Sequence, residues 1–427
     1  MRTLYTLVMY LMTPVILFRL AWRGLRYREY FSRWRERFGY FVSPELDRPI
    51  LVHAVSVGEF NAAVPLIEAL MQRYAERRFV ITTITPTGSE RVRAQFGDRV
   101  FHVYLPYDLP TAVRRFLDRI RPSFAVVMET EIWPNLFIAC RERGVPIVLA
   151  NARLSQRSLL RYRPVASLAR RALRCCAFVA AQSQTDARRL LRLGADPQRL
   201  SVAGNLKFEL AVPESLASER DALRALWGAA RPVWIAASTH DGEDELVLRA
   251  HIRLLRMHPD ALLLIAPRHP ERFRSVLALS QQLGLACRVR TQHGQPQADT
   301  QCFVIDTMGE LLGYFGASDV AFVAGSFAPI GGHNVLEPAV VGRPVIVGPH
   351  TFNFSEVTEA LIEAGAAVRV EDSAELAATL ERLMGDPDTR TAMGRAALAL
   401  VGRERGAVDR TMAIVADAMH PKSAPFS

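Results

Sequence analysis

Residues 324–349 read AGSFAPIGGHNVLEPAVVGRPVIVGP, and no other stretch constrains the fold as much. The apolar run before it, Val320–Val323, suits a strand buried on both faces. It breaks at Gly325-Ser326 and passes through Pro329, Gly331 and Gly332. The spacing then predicts a helix over 334–341, capped by His333 or Asn334, and a strand over 344–347. Strand, glycine turn, helix and strand make one α/β unit, with glycines where a ligand can approach backbone. A helix start offers unpaired N–H groups and the positive end of a dipole, so it favours phosphate. Glu337, in the first turn, can accept hydrogen bonds from ribose hydroxyls. A plain strand-to-helix turn accounts for two glycines equally well, so both readings stay open at this point.

The remaining chain repeats the same alternation. Strands are predicted at 50–55, 79–83, 100–104, 124–128, 147–150, 178–181 and 200–202. After a break over 213–231 they resume at 233–237, 262–266, 303–305 and 366–370. Such a series builds open parallel sheets, whose ligand sites lie at the carboxyl ends of the strands. The 427 residues suit two domains of roughly 100–200 residues each. We divide the chain into a membrane-anchoring segment (1–40), a first Rossmann-like domain (41–212), a second (213–400), and a final stretch (401–427). That last stretch should hold a helix crossing back to the first domain, then a flexible tail from Pro421 that includes Lys422.

Residues 3–18 are uncharged and largely apolar, and Arg19, Arg23, Arg26, Arg28, Arg33, Arg35 and Arg37 follow. A spanning helix needs about 20 apolar residues, so the run is marginal for that purpose. No small-residue cleavage site follows it, as a signal peptide would require. It reads as an anchoring helix whose arginines rest on anionic headgroups, at ~1 kcal/mol for each basic residue. The basic flank puts the bulk of the chain on the cytoplasmic side. A buried core helix is the alternative.

The formal charge of +10 calls for an anionic partner: nucleic acid, acidic membrane or a phosphorylated substrate. Almost all of the positive charge is arginine; the lysines are Lys207 and Lys422 alone. Lysine at 207 points to a need for a compact ammonium, against chance retention. Five cysteines without a C-x-x-C suit reduced, cytosol-facing residues. No His and Cys cluster has metal-ligand spacing, and Asp386-Pro387-Asp388 reads as helix punctuation.

Several predicted strand ends carry chemistry. Glu59 follows a glycine at the end of the first strand. The dipole of the next helix should keep it ionised and able to act as a base, unless the site is dry. Charge complementing that dipole is the simpler reading of the same residue. Glu129 and Glu131 end the fourth strand, and a spacing of two puts both on one face of an extended segment. Arg268, at another strand end, can hold a phosphate or carboxylate in two-pronged fashion. Gly309 allows close backbone approach.

Taken in order, HAVSVGEF (53–60), ETEIWPN (129–135), NARLS (151–155), GNLKFE (204–209), APRHPERF (266–273), DTMGEL (306–311) and GGHNVLEPA (331–339) resemble the 3-deoxy-D-manno-octulosonic acid (Kdo) transferases of lipopolysaccharide assembly. The likeness covers nearly the whole chain. It implies an α/β fold of the GT-B type, two facing Rossmann-like domains with parallel sheets after an N-terminal membrane-associated helix. It implies CMP-Kdo as donor, lipid IVA as acceptor, and the cytoplasmic face of the bacterial inner membrane as location. No cofactor, metal or nucleic acid is implied. Glu59 becomes the general base, and Glu129 and Lys207 stabilise the transition state. Pro267, Arg268, Met308, Gly309, Glu310, Asn334, Val335, Leu336 and Glu337 bind CMP, and Gly331, Gly332 and His333 form the donor loop. The family often has proline where Val335 stands. Direct displacement with inversion is expected, the carboxylate acting across the cleft from the donor. Two other readings compete. A UDP-sugar epimerase on the same scaffold would not need the arginine-flanked apolar start. An inert lipid A- or nucleotide-binding membrane protein would not need Glu59, Lys207 and Arg268 together.

Overall fold

The computed structural model describes residues 1–26, 28–210 and 212–419. The tail from Pro421, with Lys422, lies outside the described residues. The chain divides into two compact units: residues 1–209 with 404–427, and residues 210–403.

The first unit holds seven strands. They are β1 (Ile50–His53), β2 (Phe79–Thr83), β3 (Val100–Tyr104), β4 (Phe124–Met128), β5 (Ile147–Ala152), β6 (Phe178–Ala181) and β7 (Leu200–Val202). Their order is β3-β2-β1-β4-β5-β6-β7, every pairing parallel. Burial on both faces follows from residue alternation. Leu51, Val80 and Val127 face one core with Phe116 and Phe137. Ile50, Val52, Ile81 and Met128 face the other. There they meet Phe60 and Leu66 of helix α3 (Val57–Arg73) and Ile414 and Val415 of the C-terminal helix Ala407–Met419.

The second unit repeats the design. Its strands are β8 (Val233–Thr239), β9 (Leu262–Pro267), β10 (Cys287–Val289), β11 (Cys302–Val304), β12 (Val320–Val323), β13 (Val345–Val347) and β14 (Ala367–Arg369). The order is β10-β11-β9-β8-β12-β13-β14, again wholly parallel. Trp234, Leu263 and Phe322 fill one face; Ile235, Leu264 and Phe303 fill the other. The three-residue edge strand β10 was not expected. Its Cys-Arg-Val sequence is too short and too polar to signal a strand by itself.

Each sheet reverses its winding beside its first strand. In the first unit the chain builds outward through β2 and β3, then returns to place β4 against β1. In the second, β12 returns to β8 in the same way. These switch points leave crevices at the carboxyl ends of β1/β4 and β8/β12, where ligands of open α/β sheets bind.

The apolar start is not one continuous helix. It forms α1 (Arg2–Leu11) and α2 (Thr13–Arg26), with a bend of 45° between them. Pro14 explains the break: it has no N–H to give the preceding turn, and its ring crowds the carbonyl four residues back. Among the described residues no single helix is long and apolar enough to cross a membrane, though this bent pair together meets the length and composition. Helix α1 meets the body of its unit through polar atoms. Arg2 pairs with Glu142 at 3.0 Å, the Tyr5 hydroxyl donates to Asp108 at 3.0 Å, and Thr6 donates to Asn135 at 3.4 Å. Its apolar side is left outward, with Leu11 68 % exposed, and the exposure continues along α2 at Phe18 (68 %), Trp22 (65 %) and Leu25 (78 %).

Candidate active site

In the first unit, the switch point is lined by carboxylates. Helix α3 begins at Val57, because Ser56 caps it by accepting the Glu59 N–H at 3.3 Å. Glu59 therefore lies in the first helical turn and not in a preceding loop. Its carboxylate accepts the Val55 N–H at 2.9 Å and the Ser56 hydroxyl at 3.2 Å, a reciprocal capping arrangement. Two accepted bonds leave lone pairs to spare on a carboxylate. The dry-site exception to the dipole argument is the one that applies. Burial, reinforced by Glu129 and Glu131 and only partly offset by the two hydrogen bonds, pushes Glu59 up to about 7.

Glu129 follows β4 with φ of 52°, a left-handed conformation that costs a non-glycine residue energy. The segment is thus turned at Glu129 and not extended, so alternation does not place Glu131 beside it. Glu129 and Glu131 are instead coupled electrostatically, and burial also raises Glu131. Lys207 and Arg153 stand on either side of Glu129, each 3.9 Å from a different carboxylate oxygen. The Thr130 hydroxyl donates to the Arg153 carbonyl, tying the ends of β4 and β5 together.

Lys207 is placed by residues whose role the sequence did not reveal. Asn151 interrupts the β5–β6 register with φ of 53°, and its buried Oδ1 accepts the Leu206 N–H at 3.0 Å. Asn205 accepts the Lys207 N–H at 3.0 Å, closing the short turn Leu206–Phe208. Gly204, with φ of 96°, lies against Arg410, whose Nε donates to the Ala203 carbonyl at 2.7 Å. Glu209 accepts the Ala407 N–H at 2.6 Å and so caps the C-terminal helix. The motif GNLKFE is in effect a bracket that fixes one lysine. ETEIWPN is a second bracket. Buried Asp108 accepts the N–H groups of Asn135 and Leu136 at 2.9 and 2.8 Å, and Asn135 in turn holds α1.

In the second unit, the helix expected over 334–341 is only Leu336–Val340. A five-residue helix has little dipole, so an anion here has to depend more on side chains than the sequence suggested. Asn334 does serve as a local cap, accepting the Leu336 N–H at 3.1 Å, and it donates to Glu337 at 3.0 Å. Val335 and Leu336 are buried, so only their backbone can address a ligand. Pro267 ends β9, and Arg268 beyond it is exposed. Burial raises the Glu337 carboxyl, opposed by Asn334 and by the charge of Arg268. Met308 is 64 % exposed, and Gly309 has φ of 89°. Glu310 is held by Arg290 at 3.1 Å and by the Thr307 hydroxyl at 2.8 Å. Gly331 and Gly332 are both left-handed, with φ of 103° and 76°, and deliver His333 to His240. Among the described residues no group of three His, Cys, Asp or Glu side chains could hold a metal ion.

The arrangement offers a carboxylate titrating near neutrality beside a lysine–glutamate–arginine cluster in one unit. In the other it offers an exposed guanidinium beside a glycine loop. Residues 32–210 match the family described as 3-deoxy-D-manno-octulosonic-acid transferase (kdotransferase). A 3-deoxy-D-manno-octulosonic acid transferase of Haemophilus influenzae is 41 % identical over 414 residues, covering 96 % of this chain and 97 % of its own. One from Bordetella pertussis is 39 % identical over 433 residues, covering 97 % and 99 %. Among solved structures, a UDP-GlcNAc 2-epimerase from Neisseria meningitidis bound to UDP-GlcNAc superposes with a TM-score of 0.58 at 14 % identity. It covers 86 % of this chain and all of its own, a likeness of fold alone, and the fold is of the GT-B type.

The raised Glu59 value carries a stability prediction. The folded state keeps a proton that the unfolded chain releases from its ordinary value of 4.5 upward. Stability present below that value is therefore lost as pH rises through about 7. Glu59→Gln cannot ionise and can still accept the Val55 N–H. Its unfolding midpoint should exceed that of the wild type at about pH 8 and match it at about pH 4. Equal midpoints at both pH values would contradict the burial argument.

Proposed function

Since the chain belongs to the Kdo transferases, glycosyltransferases of lipopolysaccharide core assembly, we propose that its donor is CMP-Kdo and its acceptor lipid IVA. The observation that carries the mechanism is the carboxylate raised to about 7 at the β1/β4 switch point. A base titrating near the working pH combines a useful ionised fraction with real basicity. Glu59 takes the proton of an acceptor hydroxyl as that oxygen bonds to the anomeric carbon. The electron pair of the breaking carbon–oxygen bond leaves on the phosphate of CMP. The configuration inverts and no covalent intermediate forms. Lys207, held beside Glu129, supplies charge for the leaving phosphate as it develops. Arg268 supplies charge for a phosphate already anionic in the ground state. Exposed Met308 offers an apolar surface for the nucleobase, Gly309 and Glu310 shape the turn behind it, and Asn334 to Glu337 face the ribose. No cofactor takes part. The scheme needs no metal ion, since lysine and arginine can neutralise the phosphate.

Membrane attachment at the cytoplasmic face belongs to the same proposal. A surface helix normally buries its apolar side. Helix α1 does the reverse, turning polar atoms inward and leucines outward, which suits a helix lying in the lipid interface. The arginines that follow suit anionic headgroups.

Mass analysis of products from CMP-Kdo and lipid IVA tests the donor and acceptor together; a chain that leaves lipid IVA unmodified would contradict the reading. The two cations should behave differently. Lys207→Ala should lower turnover by roughly 10²–10³-fold with donor affinity little changed. Arg268→Ala should weaken CMP binding roughly tenfold or more, through loss of a charged hydrogen bond. Lys207→Arg should not restore turnover, and full activity in that variant would sink the compact-charge argument. For the membrane, Leu11→Asp with Trp22→Asp should abolish most binding to anionic vesicles. Undiminished binding would place the anchor elsewhere.

A further inference from the structure

Beside Arg268 lies a pair of histidines to which the mechanism above gives no chemical role, although His333 belongs to the expected donor loop. His240 follows β8 and His333 sits in the glycine loop after β12, so they meet at the switch point of the second sheet. Their Nε2 atoms are 2.7 Å apart. The rings are parallel to within 3°, with centroids 5.0 Å apart, as two imidazoles joined nitrogen to nitrogen in one plane require. His269 packs its ring edge-on to His240 at 5.3 Å.

The pair is a built feature. Glu243 is almost fully buried, and its carboxylate accepts N–H groups from both loops. His240 donates at 3.0 Å, Gly325 at 2.7 Å, Ser326 at 3.0 Å, Phe327 at 2.8 Å and Ala328 at 3.2 Å. One carboxylate thus locks the end of β8 to the loop after β12. Gly325, with φ of 70°, leaves room for the rings: a Cβ there would lie 2.7 Å from His333 Cδ2.

An N–H···N bond uses one proton. The imidazole that accepts it must carry its own proton on Nδ1, so the neutral pair presents an N–H on its far side. Among the described residues neither Nδ1 has a hydrogen-bond partner. The pair faces the cations Arg268 and Arg272, the imidazole of His269 and the locked carboxylate of Glu243. Burial, with His240, Arg268 and His269 adding to it, lowers His333 to about 4, and burial lowers His240 too. The site is therefore a neutral donor next to a cationic one.

We propose that the His240–His333 pair is the subsite for the carboxylate of the transferred sugar acid. This rests on the donor reading given above. A 2-ulosonic acid carries its carboxylate on the anomeric carbon itself, the same carbon that bears the phosphate ester. The donor therefore presents two anions side by side, and they need separate partners. Arg268 suits the phosphate, which must leave with its charge. The carboxylate stays, and its negative charge stabilises the positive charge that develops on the adjacent carbon. A full cation there would cancel that help. A neutral imidazole N–H orients the carboxylate and leaves its charge in place.

The test compares a ligand that has the carboxylate with one that lacks it. For His333→Asn and His240→Asn, the KM for CMP-Kdo should rise roughly tenfold to a hundredfold, the range for loss of a hydrogen bond to a charged group. Inhibition by CMP, which has no sugar acid, should stay within about threefold of wild type, which is less than one such bond contributes. Parallel weakening of CMP and CMP-Kdo would mean that the rings only prop the loop, and would overturn the proposal. So would an unchanged KM. If His333→Asn does not fold, as judged by thermal unfolding with and without CMP, the His240→Asn and His240→Gln variants decide alone. A wild-type chain that CMP does not inhibit would instead overturn the donor reading itself, and this inference with it.

Discussion

Where a parallel sheet reverses its winding, the loops after two neighbouring strands run in opposite directions, and the backbone N–H groups between them lose the ladder. Something else has to satisfy them. In both units of this chain a glutamate after a glycine does so: Gly58-Glu59 after β1 and Gly242-Glu243 after β8. The two carboxylates share a position in the fold and differ in occupancy. Glu243 accepts five N–H groups and is closed off, so its work is to lock the loop after β12 to the end of β8. Glu59 accepts one N–H and one hydroxyl and keeps lone pairs for chemistry. The same device is a structural clamp in one unit and, in the proposed mechanism, a base in the other.

Strain gathers along the same edges. Glu129, Asn151 and Ser238 have positive φ, and each ends or interrupts a strand at its carboxyl side. Such conformations persist only where neighbours over-determine them. Asn151 is held through Leu206 and Gln182, and Glu129 by Lys207 and Arg153. The result is a rim whose side chains are set before any ligand arrives, which is what electrostatic stabilisation of a transition state requires.

Much of this was legible in the sequence. Strands buried on both faces read as short apolar runs, so β2, β3, β4, β6, β7 and β12 end where those runs placed them. The missed edge strand β10 has no such run. The helix expected over 334–341 came out shorter, because Asn334 caps it at Leu336 and Gly342, with φ of 69°, follows its end. The raised pKa of Glu59 was illegible: a dipole argument sees one helix, whereas the outcome depends on burial and on two carboxylates more than 60 residues away in sequence. The histidine pair was illegible for the same reason. His240 and His333 follow different strands, and only the order of the sheet joins them. The bend at Pro14 was open to reading. That α1 turns its polar side inward was not, since it depends on Asp108 and Asn135.

The proposed transfer depends on Glu59 being the group that takes the acceptor's proton. The most direct measurement is the pH dependence of kcat/KM for Kdo transfer in the wild type and in Glu59→Gln. The wild type should show an acid limb with an apparent pKa of about 7, rising as the carboxylate ionises. The variant should lose that limb, together with roughly 10²–10⁴-fold in rate. A variant that kept the same limb at near wild-type rates would show that another group takes the proton, and the account would fail.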